Sequence, residues 1–203
     1  NAGFTYFDLS RRFNYGAGAY HFAGDYLDER DFRYFERRAG VNLIGSYPFS
    51  KFNRIESSLF LFHSDRSDDS FRDARRAILA TNYLSLIHDN SLWNAMGPID
   101  GSRYNLAFGV TTDLERATVE NVALIAAFRR YFRTGLRSGY AVRLQGRVSE
   151  GTNRQRFVLG GSHSLRGFPR RSLFVSRSLL WNNEFRYPLL DGIFLGFPFG
   201  NIG

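Results

Sequence analysis

The stretch RYNLAFGVTT, residues 103–112, alternates large apolar side chains with small or polar ones. The large apolar residues share one side of an extended chain: Tyr104, Leu106, Phe108 and Val110. The residues between them are polar or small: Asn105, Ala107, Gly109 and Thr111. Successive side chains of a β-strand point to opposite faces of a sheet, so strict alternation over this length predicts a strand with one apolar face.

The same alternation recurs in YAVRLQGRV (140–148), LWNNEFRYP (180–188) and RAGVNLIG (38–45). Polar or glycine-rich turns separate the alternating segments, which predicts an all-β fold. The predicted strands are residues 2–9, 12–22, 32–45, 53–63, 75–88, 102–112, 118–131, 138–149, 174–188 and 192–199. In AILATNYLSLIHD, residues 77–89, the pattern leaves open which face is apolar.

The polar face of these segments bears on the choice between two fold classes. It carries Arg, Asn, Gln, Glu and Gly, while the apolar face is rich in aromatic residues. Strands of about ten residues with this pattern are typical of a transmembrane antiparallel β-barrel, whereas the strands of soluble sandwiches average about five or six residues. Periodicity alone leaves both classes open. In a barrel, the residues facing lipid would include Tyr104, Leu106, Phe108, Tyr140, Val142 and Leu144.

The composition of the chain excludes several classes of function. The 203 residues carry a formal net charge of +8, but the cations are scattered without a basic stripe, so we expect no nucleic-acid partner. The chain has no cysteine, which excludes a disulfide scaffold and a Cys-based metal site. Its 4 histidines lie on separate segments without ligand spacing, and GGSHS lacks the pattern of a nucleophile elbow. We therefore predict no metal, no cofactor and no enzymatic activity.

The longest predicted connection, at about 150–173, holds a distinctive motif in VLGGSHSLRGFPRR, residues 158–171. A double glycine is followed by an aliphatic residue, an arginine, a glycine and an aromatic residue: Gly160, Gly161, Leu165, Arg166, Gly167 and Phe168. The next strand carries a second motif in WNNEFRYPLL, residues 181–190: Glu184, Arg186, Tyr187 and Pro188.

These two motifs resemble those of the BamA/TamA-type outer-membrane assembly barrels, the bacterial surface antigen superfamily. Residues 46–56 and 94–109 resemble members of that family in which the barrel is fused to a propeller-like periplasmic part. The resemblance extends over most of the chain.

The resemblance implies that the loop folds back into the barrel lumen, where Arg166 pairs with an acidic residue of the wall. Glu184 is the predicted partner, because it lies on the polar face of the next strand and an unpaired buried charge costs several kcal/mol. Gly167 would let the backbone turn where a side chain would clash, and Phe168 would wedge against the wall. The second acidic residue that the family uses lies one strand later than this sequence reaches.

In the family this loop lies between strands eleven and twelve of sixteen. Residues 1–203 are then one partial barrel domain of about ten strands, because an open sheet cannot cross a bilayer with unpaired edges. The resemblance implies the outer membrane of a Gram-negative bacterium and a role in the insertion or translocation of proteins. The implied partners are outer-membrane lipid, lipopolysaccharide, client outer-membrane or secreted proteins, and periplasmic domains of the same chain. The alternative is a barrel that anchors, or forms a pore for, a fused periplasmic or lipase-like domain.

Overall fold

The computed structural model describes residues 1–27, 33–67, 75–94, 97–136, 138–162 and 164–187. Its regular structure is built from β-strands: β1 Ala2–Asp8, β2 Asn14–Leu27, β3 Arg33–Pro48, β4 Asn53–Ser67, β5 Arg75–Asp89, β6 Leu92–Asn94, β7 Gly97–Asp113, β8 Thr118–Arg133, β9 Gly139–Glu150, β10 Phe157–Leu159, β11 Leu173–Val175 and β12 Arg177–Arg186. Within these residues, no helix has the length and apolar character needed to span a membrane.

The long strands form one antiparallel sheet in the order β1-β2-β3-β4-β5-β7-β8-β9-β12, so each strand pairs with the strand next along the chain's path. This order confirms the predicted all-β antiparallel fold, and nine of the ten predicted segments correspond to these strands. The predicted segment at 174–188 is divided, because β11 pairs with β10 at the base of a loop while β12 joins the sheet. The tenth predicted segment, at 192–199, lies outside the described residues.

The connection at 89–101 is shorter than the sequence suggests. The short strand β6 pairs with the first residues of β7, so that the two form a small hairpin extending beyond the sheet. Gly101 lies inside β7 with a φ of +96°, and a Cβ there would lie 2.5 Å from the carbonyl oxygen of Asn90, so the backbone needs a glycine at this position. Strand pairing therefore accounts for the described residues on both sides of positions 95–96.

The sheet has two unlike faces. On the apolar face, large side chains are half exposed at Leu43, Leu84, Phe108, Leu124 and Trp181. The opposite face, the polar face, holds buried polar or small residues: Glu36, Asn42, Ala107, Asn121, Gln145 and Ser149. A soluble sheet would bury its apolar face, so exposure of that face fits contact with an apolar solvent.

The strand that the sequence left ambiguous, β5, follows the same division. Ile78, Leu84 and Leu86 lie on the apolar face and are 41%, 49% and 42% exposed, whereas Leu79 and Ile87 are buried on the polar face. Both faces of β5 carry large apolar side chains, and its pairing with β4 and β7 decides the orientation. A shift of one residue would exchange the two faces, so the neighbouring strands fix what the strand's own pattern could not.

Aromatic side chains gather at one end of the apolar face, next to the short turns. The rings of His88 and Tyr104 stack with their centroids 4.6 Å apart, and those of Phe132 and Tyr140 lie 6.3 Å apart. Transmembrane barrels carry such rings where the bilayer meets water. The apolar face thus has both an aliphatic band and an aromatic border.

We expect the substitution Leu84→Arg to lower the free energy of unfolding in lipid vesicles by about 2–4 kcal/mol, the cost of an arginine at mid-depth on a lipid-facing strand. Urea titration of the protein folded into vesicles measures the change. Ser85→Arg is the matched control, since it adds the same charge to the polar face, opposite Glu56 on β4. Equal losses for the two variants would contradict the assignment of the apolar face to lipid.

Candidate functional site on the polar face

Residues 151–176, here called the polar-face loop, connect β9 to β12 and lie against the polar face of the sheet. A short antiparallel pair, β10 with β11, closes the base of the loop, with Phe157 opposite Val175 and Leu159 opposite Leu173. Phe157 and Leu159 are 5% and 8% exposed, so the base has a small apolar core of its own. The long connection is therefore an ordered element.

The base of the loop is held by strands distant from β9. Arg66 on β4 donates a hydrogen bond to the side-chain oxygen of Asn153 (3.2 Å), and the Tyr83 hydroxyl on β5 donates to Gln155 (2.6 Å). Four strand intervals of about 4.8 Å separate β9 from β4, so the base of the loop reaches roughly 19 Å across the sheet. We call these two contacts the base anchors.

Tyr83 depends in turn on a glycine of the next strand. A Cβ at Gly109 would lie 2.2 Å from the Tyr83 ring, so the ring occupies the space that a side chain on β7 would need. The glycine lets the tyrosine lie flat on the sheet, from where its hydroxyl reaches Gln155. The Gly109–Tyr83 contact therefore positions the tyrosine of the second base anchor.

The glycines of the loop motif produce its turns. Gly160, Gly161 and Gly167 have φ values of +108°, +93° and +86°, in the left-handed region that favours glycine. The Gly161 N–H donates to the Phe168 carbonyl at 3.1 Å, which closes the motif into a compact turn. A Cβ at Gly160 would lie 2.2 Å from the Pro169 carbonyl oxygen, whereas a Cβ at Gly167 would meet no atom within 4 Å. No described atom would clash with a side chain at Gly167, and its positive φ explains the glycine.

The turn brings Arg166 to the acidic residue on β12. One guanidinium nitrogen of Arg166 lies 3.5 Å from a carboxylate oxygen of Glu184, and the two side chains are 25% and 22% exposed. The Arg166 Nε also donates to the Ser162 carbonyl at 3.4 Å. Asn182, two residues before Glu184, donates to the Ser164 carbonyl at 3.3 Å, so β12 contacts the loop tip at two points.

Arg186 is the nearer partner of the same carboxylate. Its Nε donates to the other oxygen of Glu184 at 2.8 Å, and its Nη1 donates to the Pro98 carbonyl on β7 at 3.1 Å. Glu184 thus accepts from one arginine of its own strand and one of the loop. Sequence reasoning placed Arg186 in the strand motif without this role, although the spacing of two residues puts both side chains on one face.

The remaining motif residues lie elsewhere. Leu165 is partly buried in the loop, and Tyr187 is exposed at the end of β12. Phe168 is 53% exposed and is not buried against the described strands, so its contact with the barrel wall stays a prediction. Pro188 lies outside the described residues. Among the described residues, polar contacts therefore hold the loop tip.

Buried ion pairs brace the polar face near the base anchors. Glu36 is fully buried and pairs with Arg38 at 2.8 Å and Arg66 at 3.4 Å. Arg75 bridges Asp113 and Glu120 on β7 and β8 at 3.0 and 2.9 Å. Because Arg66 also binds the loop, one of these networks connects the wall directly to the loop base.

Comparison with known proteins gives a fold. No family model and no curated protein matches the sequence. Among solved structures, BamA from Haemophilus ducreyi lacking POTRA domains 1–3 is similar with a TM-score of 0.69 and 14% sequence identity. The match covers 90% of this chain and 43% of that one, so this chain spans less than half the length of that structure.

The described sheet is thus a segment of the wall of an antiparallel β-barrel. More narrowly, its fold is that of a BamA-type outer-membrane barrel, as the two sequence motifs predicted. The polar face is then the lumen side of the wall. The comparisons do not support the propeller-fused kind of barrel.

Substituting Gly109→Ala should loosen the loop base as Tyr83→Phe does, because either change removes the hydrogen bond to Gln155. Loss of one such bond corresponds to about two- to ten-fold faster opening of the loop. The rate of tryptic cleavage after Arg154 and Arg156 measures it. Gly146→Ala is the control, since a Cβ there meets no atom within 4 Å; cleavage that is unchanged in Gly109→Ala would refute the anchor.

Proposed function

We propose that the chain is part of an outer-membrane β-barrel of a Gram-negative bacterium that assists the insertion or translocation of other proteins. The observation that carries the proposal is the polar-face loop, folded onto the lumen side of a BamA-type wall with Arg166 at Glu184. The exposed aliphatic band and its aromatic border support a lipid environment.

The contacts of the polar-face loop favour a barrel that changes its conformation over a pore for passive diffusion of solutes. The base is fixed by two anchors on β4 and β5, while the tip rests on polar contacts of 3.3–3.5 Å to β12. A partly exposed ion pair contributes only about 0–1 kcal/mol, so the tip can leave the wall at little cost. A loop fixed at its base and weakly held at its tip suits a barrel whose lumen or wall changes while a client passes.

The partners follow from the same proposal. Outer-membrane lipid and lipopolysaccharide would cover the apolar face, and client outer-membrane or secreted proteins would meet the lumen side or the wall. Periplasmic domains of the same chain would deliver those clients. The proposed role needs no covalent chemistry from the described residues.

Replacing Arg166 with alanine should leave the barrel folded and impair client assembly, because the strands pair without the loop while the tip loses its contact with Glu184. Arg166→Lys should restore activity only in part, since an ammonium group lacks the planar fork of a guanidinium. Heat-modifiable migration in gels reports folding, and the yield of a folded client porin reports activity.

Arg170→Ala is the matched control for Arg166→Ala, as an exposed arginine of the same loop. Normal client assembly in Arg166→Ala cells would argue against the proposal. If an activity of a fused domain were lost instead, the anchor or pore alternative would take its place.

The sheet topology also fixes which chain segments share a side of the membrane. The turn at 114–117 and the polar-face loop lie at one end of the strands, and the turn at 49–52 lies at the other. Because the chain has no cysteine, Glu115→Cys, Asn153→Cys and Lys51→Cys each give a single labelling site. On intact cells we expect the first two to react with an impermeant maleimide, and Lys51→Cys to react only after the outer membrane is breached. The reverse pattern would invert the topology.

A further inference from the structure

The loop tip and the ends of β8, β9 and β12 enclose a cleft of about 260 Å³ on the polar face. Four arginines line it: Arg129, Arg143, Arg166 and Arg186. Among its described lining residues, Glu184 is the single carboxylate, and it already accepts from Arg166 and Arg186. We call this site the arginine cleft.

The strand register explains why the cleft is so basic. Arg103 on β7 lies directly opposite Arg129 on β8, and Arg129 lies directly opposite Arg143 on β9. Directly opposed residues have Cβ atoms about 4.5–5.5 Å apart, and like charges at that spacing destabilise a sheet. Three adjacent strands therefore present a row of three arginines toward the lumen.

Among the described residues, Asp89 offsets the charge of the row at its β7 end. Asp89 on β5 lies opposite Arg103 and pairs with it at 3.5 Å. Arg129, in the middle, has no carboxylate within salt-bridge distance among the described residues. It is partly exposed, so a ligand in the cleft can reach it. At the other end, Arg143 lies opposite the neutral Asn182 and donates to Gln145 at 2.6 Å. The centre of the row is therefore the place where an external anion gains most.

The position of the cleft selects the kind of anion. It opens on the polar face, whereas a lipid phosphate carries acyl chains that belong on the apolar face. A carboxylate on an extended polypeptide can enter from the lumen side and can receive paired N–H donors from a guanidinium. In an extended segment, carboxylates on alternate residues point to the same side, so more than one of them can face the row.

We propose that the arginine cleft binds carboxylate side chains of an extended acidic peptide segment, with Arg129 as the principal contact. This inference rests on the proposed function, because the segment would belong to a client polypeptide on the lumen side. Arg166 belongs both to the loop tip, where it contacts Glu184, and to the lining of the cleft. A bound carboxylate would compete with Glu184 for Arg166 and so favour release of the loop tip.

The test is peptide binding to the intact protein in neutral detergent micelles. The probe is a fluorescent, acetylated and amidated peptide of alternating Asp and Thr, and the matched peptide carries Asn in place of Asp. We expect the Asp peptide to bind, the Asn peptide not to bind, and Arg129→Gln to weaken binding by roughly ten-fold, as for the loss of one charged hydrogen bond. Arg130→Gln should change binding less than about two-fold, because Arg130 lies on the apolar face beside Phe132.

Several results would overturn the proposal. Equal weakening by Arg129→Gln and Arg130→Gln would mean that net charge alone attracts the peptide. Absence of binding by the wild-type protein would mean that another part of the barrel supplies the counter-charge. Displacement of the labelled peptide by micelles of phosphatidylglycerol at a much lower anion concentration than by unlabelled Asp peptide would assign the cleft to a lipid phosphate.

The binding assay needs no client assembly, so the two proposals can fail separately. Peptide binding that is absent while Arg166→Ala still impairs assembly would reject the arginine cleft alone. Peptide binding as expected, with client assembly unchanged in Arg166→Ala cells, would leave the arginine cleft standing and would argue against the assembly role and, with it, against the assignment of the peptide to a client.

Discussion

Buried carboxylates on the polar face need cationic partners within the wall or the loop, because burial removes them from water. An unpaired buried charge costs several kcal/mol, more than most single contacts contribute. Glu36 shows the constraint in its strictest form, being fully buried and held by Arg38 and Arg66. The loop follows from the same constraint, since Arg66 also reaches Asn153 and Glu184 also reaches Arg166.

The almost exclusive use of arginine fits this demand. Lys51 is the one lysine among 27 cationic residues, and it lies in a short turn. A guanidinium presents several donors in a fixed plane and can therefore join two acceptors on different strands. Arg75 bridges two carboxylates, and Arg186 joins Glu184 to a backbone carbonyl of β7. A lysine at either place would offer its donors from a single nitrogen and would lack the planar spread with which the guanidinium reaches both acceptors.

The sequence predicts the wall better than the loop because the wall obeys a short period. Alternation over two residues is visible in any strand with one apolar face, which is why residues 103–112 suffice to predict β7. Strand β5 does not show this alternation clearly, because large apolar side chains occur on both of its faces. Its neighbouring strands decide its orientation. The meeting of Arg166 with Glu184 was anticipated from a family resemblance and from the need to pair a charge. The base anchors were not, because no local pattern relates Arg66 or Tyr83 to residues more than seventy positions away.

The two ends of the loop differ in a way that bears on function. The base combines a small apolar core, a tyrosine seated over a glycine, and an arginine shared with a buried carboxylate. The tip relies on longer polar contacts between side chains that are about a quarter exposed, so water can replace them at little cost. Opening of the loop would therefore move the tip about a fixed base. Glu184 would lose Arg166 and would keep its ion pair with Arg186. Because that pair persists, release of Arg166 does not leave Glu184 unpaired. The free energy needed to open the tip is then the loss of the contacts of Arg166 itself.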